Sequence, residues 1–205
     1  MRTPAHAQAR IYDAAMRIFA RRGTTETNVS EIALAAGIAR GTIYNNVSNP
    51  DSIFEEVATA LGNEMHARIV ASFEVTDDPA HRLACGMRFF VRRAHEEPQW
   101  GRFIVRFAFT TASLRAMLTG PPARDLQDGL QKGRYCFLAE QLPSVVAFVA
   151  STTLAAMSLV LNGDRTWREA GSDAAEFMLR SIGVPPLEAG AFATTHLPPL
   201  SQLAN

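Results

Sequence analysis

Apolar residues recur at three- and four-residue intervals along almost the whole chain, the spacing that lines one face of a helix. No alternating strand-like run with a hairpin turn interrupts it. Ile11, Ala14, Ala15, Ile18 and Phe19 define a first helix, which stops at Arg21-Arg22-Gly23, basic residues followed by glycine. Thr27 or Asn28 caps a second helix, with Glu31 three positions after Asn28 as capping-box partner. That helix runs from Val29 to Ala36 and ends at Gly37. A third, short one covers Arg40 to Asn46. Asn49-Pro50, a cap followed by proline at the first helical position, opens a long fourth helix. In it Ile53, Val57, Leu61, Met65, Ile69 and Phe73 recur every fourth residue towards an end near Asp77. Asp78-Pro79 repeats the start signal for a fifth helix, with Leu83, Met87, Phe90, Val91 and Ala94 on one face. Pro98 opens a sixth, carrying Trp100, Phe103, Ile104 and Phe107.

Beyond residue 112 the pattern is less regular. Ser113 to Gly133 reads as two short pieces broken at Gly120-Pro121-Pro122, because proline removes a helical donor and crowds the preceding turn. Leu142 to Leu161 is free of charge and as long as a membrane span. Five of its residues are Ser or Thr, Pro143 lies near its start, and no Lys or Arg cluster or aromatic belt flanks it. This favours a helix buried on two sides within a soluble assembly and no membrane contact. A last amphipathic helix carries Ala174, Phe177, Met178 and Ile182. The Pro-punctuated end is expected to hold at most a short helix and a loose terminus. The fold class is therefore all-α, with a small three-helix head and a larger helical body.

With 205 residues, 47% of them hydrophobic, the chain can bury a substantial core. Twenty basic residues balance twenty acidic ones, so net charge says nothing about partners. Their distribution does. Residues 1–47 hold Arg2, Arg10, Arg17, Arg21, Arg22 and Arg40 against Asp13, Glu26 and Glu31, which makes the head the basic part of a neutral molecule. Cys85 and Cys136 are the only cysteines, and MRTPAHAQAR contains no apolar signal region, so a reducing cytoplasm is expected rather than secretion. Catalysis finds little support: there is no G-x-S-x-G, no phosphate-binding Gly loop and no pair of carboxylates at a strand end. His81 and Cys85, four apart, lack a third ligand nearby, so neither a metal nor another cofactor is expected.

Two short helices joined by Gly37-Ile38-Ala39 form a helix-turn-helix pattern. Ile32, Ala33 and Ala36 supply a small inner face that Ile38 and Ile43 close. The outward residues of the third helix are then Arg40, Thr42, Tyr44, Asn45 and Asn46, types that suit a DNA groove: Arg onto guanine, Asn onto adenine, hydroxyls onto phosphates. Taken singly, Arg40 could equally be a solvated surface residue, Tyr44 a core-edge residue and Thr27 merely a cap.

The run from Ile11 to Val57 resembles the N-terminal domain of TetR-type transcriptional regulators. The matching features are Phe19-Ala20-x-x-Gly23, Val29-x-x-Ile32-Ala33, and Ala36-Gly37-Ile38-Ala39-Arg40-Gly41-Thr42-Ile43-Tyr44. The run DGLQKGRYCF looks like the loop before that family's dimerisation helices. Two positions depart from the family pattern: Pro50 stands where Lys is common, and Val47 where Phe is common. The resemblance implies a head over residues 1–49 and an effector-binding and dimerisation body over 50–205. It also implies a dimer on a palindromic double-stranded DNA operator. Base or backbone contacts are implied for Arg40, Gly41, Thr42 and Tyr44, and phosphate contact for Thr27 and Asn28 at the start of the second helix. Ser30, Asn45 and Asn46 take outward positions.

Two heads must stand about 34 Å apart to read a palindrome. The 142–161 and 174–182 helices are the expected two-fold interface, with Ala150, Ala155, Ala156 and Ser158 permitting close approach and Phe148, Leu154, Met157 and Leu161 supplying apolar area. The alternative is a wholly internal core helix. Phe89, Phe90, Trp100, Phe103 and Phe107 concentrate aromatic surface, with His66, Arg93 and Arg106 as polar anchors. They line either a cavity for a small hydrophobic effector or a packed core. The expected function is a repressor relieved by such an effector; the alternative is an effector-independent architectural DNA-binding protein with the same head.

Overall fold

The computed structural model describes residues 4–201 except 48, 50, 51 and 73–76; among the described residues every regular element is helical. The head comprises α1 (Pro4–Arg22), α2 (Val29–Ala36) and α3 (Arg40–Tyr44). Helix α4 (Ile53–Ser72) leads into the body, formed by α5 (Pro79–Glu96), α6 (Pro98–Phe107), α7 (Ala112–Gln131), α8 (Leu142–Asn162), α9 (Trp167–Ser181) and α10 (Pro186–Thr194). Pro50, half of the expected start of the fourth helix, and Phe73, its expected last apolar residue, lie outside the described residues.

The body is built around α5, against which α6, α7, α8, α9 and α10 all pack. Its start is fixed as its sequence requires: Asp78 Oδ1 accepts from the Ala80 N–H at 2.8 Å and Pro79 occupies the first turn. Thr166 and Glu169 close a reciprocal capping box on α9, with hydrogen bonds of 3.3 and 3.1 Å.

Head and body meet through aromatic rings. Phe19 of α1 stands edge-on to Phe54 of α4 at 5.0 Å, and Phe54 in turn meets Phe103 at 5.6 Å and Phe107 at 5.0 Å on α6. All four are buried, so α1, α4 and α6 share one core and α4 cannot tilt without disturbing the head. Val47 is buried as well, closing the head beneath α3.

Three expectations are corrected. The Gly120-Pro121-Pro122 step does not divide its segment: α7 runs through both prolines. Each proline costs roughly 3 kcal/mol in a helix interior. Anchors on both sides offset this. Thr111 caps the start and Leu114, Met117 and Leu118 are buried before the step. After it, Leu126 is buried, and Asp125 and Asp128 grip Arg82 of α5 at 2.8 and 2.7 Å.

The C-terminal segment is not loose as far as Ser201. Leu197 and Leu200 are buried, and Ser201 donates from its N–H to Ser72 Oγ (2.7 Å) and accepts from Arg68 Nε (3.0 Å). The residues after α10 thereby strap the far end of α4 onto the body.

Finally, α8 is long and apolar enough to cross a membrane by length and composition alone. Here it packs on α5, α6, α7 and α9. Ala150, Leu154, Ala156 and Met157, expected at a subunit interface, are buried within the protomer, whereas Phe148, Ser151, Ala155 and Leu159 form an exposed strip along its other side.

Candidate nucleic-acid interface and ligand cavity

The helix-turn-helix is assembled from local signals. Asn28, not Thr27, caps α2: its Oδ1 accepts from the Glu31 N–H at 2.9 Å. Glu31 does not complete the expected box, because its carboxylate is drawn to Arg22 at 2.7 Å, tying the end of α1 to the start of α2. Gly37 adopts φ +63°, a left-handed conformation that ends α2 and that a side chain would strain. Arg10, which sequence reasoning passed over, reaches from α1 to donate to the carbonyls of Ala36 and Gly37. It satisfies acceptors that α2 leaves open and locks the turn. Ile32, Ala33, Ala36 and Ile43 are buried beneath it.

What remains outward is polar. Asn28, Ser30, Arg40, Gly41, Tyr44 and Asn45 are exposed, and Thr42 is half-buried. Tyr44 leaves 58% of its surface free although its ring is large and apolar. Two of the expected DNA-facing groups do not point freely outward. Asn46 turns its amide back to donate to the Thr42 carbonyl at 2.7 Å, finishing α3 rather than reaching outward. Thr27 is half-buried, with its hydroxyl enclosed and without a hydrogen-bond partner among the described residues.

A cavity of about 630 Å³ opens in the body between α4, α5, α7 and α8. Its deep wall is Met65, Leu83, Met87, Phe90, Met117, Leu118 and Val149, all buried. Thr59, Asn63, His66 and Val70, one turn apart on α4, lie exposed at its rim, and Thr59 shares a hydrogen bond of 2.8 Å with Ser113 across to α7. Of the six residues expected around a ligand, His66 and Phe90 line this space.

The other four do not. Phe103 and Phe107 belong to the aromatic seam under the head. Arg93, 2% exposed, bonds Glu64 and Glu97 at 2.9 Å each and lies 4.3 Å from the Trp100 ring centroid. Trp100 is thus part of a polar and aromatic joint between α4, α5 and α6. Arg106, the remaining expected anchor, reaches the Ala20 carbonyl of α1 at 3.4 Å. A ring cluster in sequence did not reveal which rings face each other and which face a void. The cavity residues that sequence reasoning missed, Met87 and Met117 among them, carried only an ordinary helical-core signal.

Of the charged groups on the lining, Arg82 is paired with Asp125 on the wall and with Asp128 beyond it, while Arg124 stands exposed at the edge of the cavity. Burial pushes the Asp125 carboxyl above its ordinary range despite that pairing. His81 stacks on Phe192 at 5.1 Å, burial holding its pKa below the usual imidazole range, and Cys85 is buried on α5.

An all-helical chain with an arginine-latched helix-turn-helix and a cavity one helix away defines a class: a DNA-binding protein with a cavity-bearing body. Residues 78–194, more than half of the chain, match the family described as "Tetracyclin repressor-like, C-terminal domain", and residues 11–57 match "Bacterial regulatory proteins, tetR family". The chain belongs to the TetR family of DNA-binding transcriptional regulators. It is 40% identical over 47 residues to the HTH-type transcriptional regulator AcrR of Shigella flexneri, covering 23% of this chain and 22% of that one. It is 31% identical over 89 residues to the HTH-type transcriptional regulator TtgR of Pseudomonas putida, covering 43% of this chain and 41% of that one. The chain thus spans well under half the length of these curated relatives. Among solved structures, RolR in complex with resorcinol matches with a TM-score of 0.66 at 27% identity over 97% of this chain and 98% of that one. A TetR family regulator from Marinobacter aquaeolei VT8 matches with a TM-score of 0.71 at 19% identity, over 86% and 95% of the two chains, and shares the fold.

Proposed function

We propose that this protein is a cytoplasmic homodimeric repressor that binds a palindromic operator through two copies of α3 and is released when a small, neutral, largely apolar molecule occupies the cavity. The observation that carries the reading is the double duty of α4. Its first turns hold Phe54 in the aromatic seam with α1 and α6, and its middle turns, from Thr59 to Val70, form one side of the cavity. A ligand that favours one tilt of α4 over another therefore has differential affinity for two head positions, which is what release requires. The similar protein RolR was solved with resorcinol, a small aromatic, and that supports the same size class here.

The dimer in this reading is made by the exposed strip of Phe148, Ser151, Ala155 and Leu159 on α8, together with Phe177 on α9. Small residues between large apolar ones let two copies pack as a four-helix bundle. Arg40 is assigned to base contact and Thr42, Tyr44, Asn28 and Ser30 to the backbone and groove wall.

Gel retardation with DNA from upstream of the gene tests the reading. The wild-type dimer retards it, and Arg40→Ala, which alters an exposed residue, weakens binding by roughly tenfold or more while the dimer persists. Unchanged retardation by Arg40→Ala would overturn the assignment of α3.

A further inference from the structure

The two prolines that α7 tolerates lie in the wall of the cavity. Pro121 and Pro122 lack the N–H groups that would bond the carbonyls of Met117 and Leu118, four residues earlier in the helix. Both oxygens therefore lose their usual helical donor, and no side chain among the described residues donates to either. Met117, Leu118, Gly120, Pro121 and Pro122 all line the cavity, so the freed acceptors belong to the stretch of helix that a ligand touches.

We propose that these backbone carbonyls select the effector: they accept hydrogen bonds from a ligand that carries hydroxyl or N–H donors on an apolar, aromatic-sized frame. This rests on the reading of the cavity as an effector site and names the chemistry that site prefers. A purely hydrocarbon ligand is disfavoured. It fills the wall of Leu83, Met87 and Phe90 but leaves two acceptors without donors, the situation in which a polar site rejects an isostere most strongly.

The test uses the full chain and probes of one shape: 1,3-dihydroxybenzene, 3-methylphenol and 1,3-dimethylbenzene, with the corresponding naphthalenes as a larger set, measured by calorimetric titration. Apolar burial alone ranks these with the hydrocarbon tightest. Acceptor selection ranks them in the reverse order, with the diol at least about tenfold tighter than the dimethyl compound. In Pro121→Ala/Pro122→Ala the restored N–H groups occupy both carbonyls, so the preference for the diol collapses while the hydrocarbon binds as well or better. Alanine favours helix, and circular dichroism checks that the variant is folded. Hydrocarbon binding as tight as the diol in the wild type, or an unchanged preference in the double variant, overturns carbonyl selection alone. If none of the probes binds, the effector-site reading falls and carbonyl selection falls with it.

Discussion

The Tyr12 hydroxyl donates to Glu56 Oε2 at 2.9 Å, joining the first helix of the head to the helix that walls the cavity. The other oxygen of Glu56 accepts from the Asn49 N–H at 3.3 Å, so one carboxylate gathers α1, the linker and α4. Burial, and then the neighbouring Glu56 carboxylate, raise the Tyr12 pKa above its ordinary 10.0. A pKa raised on folding contributes stability that is complete below the unfolded value and lost as pH rises through the folded one. Tyr12→Phe should therefore cost about 1 kcal/mol at neutral pH. The difference from wild type should vanish only well above pH 10. Urea melts at neutral and strongly alkaline pH check both halves.

Gly41 separates folding from recognition. A Cβ at this position meets nothing within 4 Å, and α3 gains from alanine by roughly 0.5–1 kcal/mol. Gly41→Ala should melt slightly higher than wild type. If α3 lies against the duplex, the added methyl should weaken operator retardation by about tenfold. A variant that is more stable and binds equally well would move the interface away from this helix.

The proposed dimer face has its own signature. Phe148 and Phe177 are 52% and 63% exposed, so charge there does not disturb the protomer core. Phe148→Glu/Phe177→Glu should give a folded monomer by light scattering. Its operator affinity should fall by about a hundredfold or more, since one head reads only half of a palindrome. A dimer that survives both substitutions would relocate the interface.

Arg93 is the most deeply buried charged residue among the described ones. Arg93→Met keeps the length of the side chain but removes one of the two guanidinium groups on Glu64 and Glu97; Arg68 still bonds both carboxylates, which are partly exposed, so the cost should be about 1.5–3 kcal/mol. Burial on its own would raise the Glu97 pKa, but the guanidinium groups of Arg93 and Arg68 outweigh it and hold the carboxyl below its ordinary range. A lowered folded pKa contributes stability that is present above the unfolded value and lost as pH falls through the folded one. The penalty of Arg93→Met should therefore be largest at neutral pH and shrink as pH falls through the acid range, as thermal melts of both proteins would show.

The strap gives a last test. Leu200 is buried beside the end of α4, and Leu200→Ala should cost about 2 kcal/mol, near the low end for a buried leucine because the segment can resettle. An unchanged melting temperature would mean that the strap is not held in solution.

Helix starts, stops and the helix-turn-helix were legible because each depends on neighbours a few residues apart. Asn28 caps α2, Gly37 ends it, and Asp78-Pro79 opens α5 through bonds spanning at most five positions. Family membership was legible for the same reason, as an ordered local pattern from Ile11 to Tyr44. The candidate ligand site was much less so. His66 and Phe90 line the cavity, but Arg93, Trp100, Phe103 and Phe107 look identical to cavity residues in sequence and become joints in three dimensions.

The amino-acid order by itself thus determined an all-helical chain with a DNA-binding head, since backbone hydrogen bonding and apolar periodicity are short-range. Only the tertiary structure decided that α7 continues through Pro121-Pro122, that residues after α10 strap α4, and that a void lies between α4, α5, α7 and α8. Each of those outcomes depends on groups distant in sequence, such as Arg82 with Asp125 or Arg68 with Ser201. Their contact offsets local costs that no window of neighbouring residues can weigh.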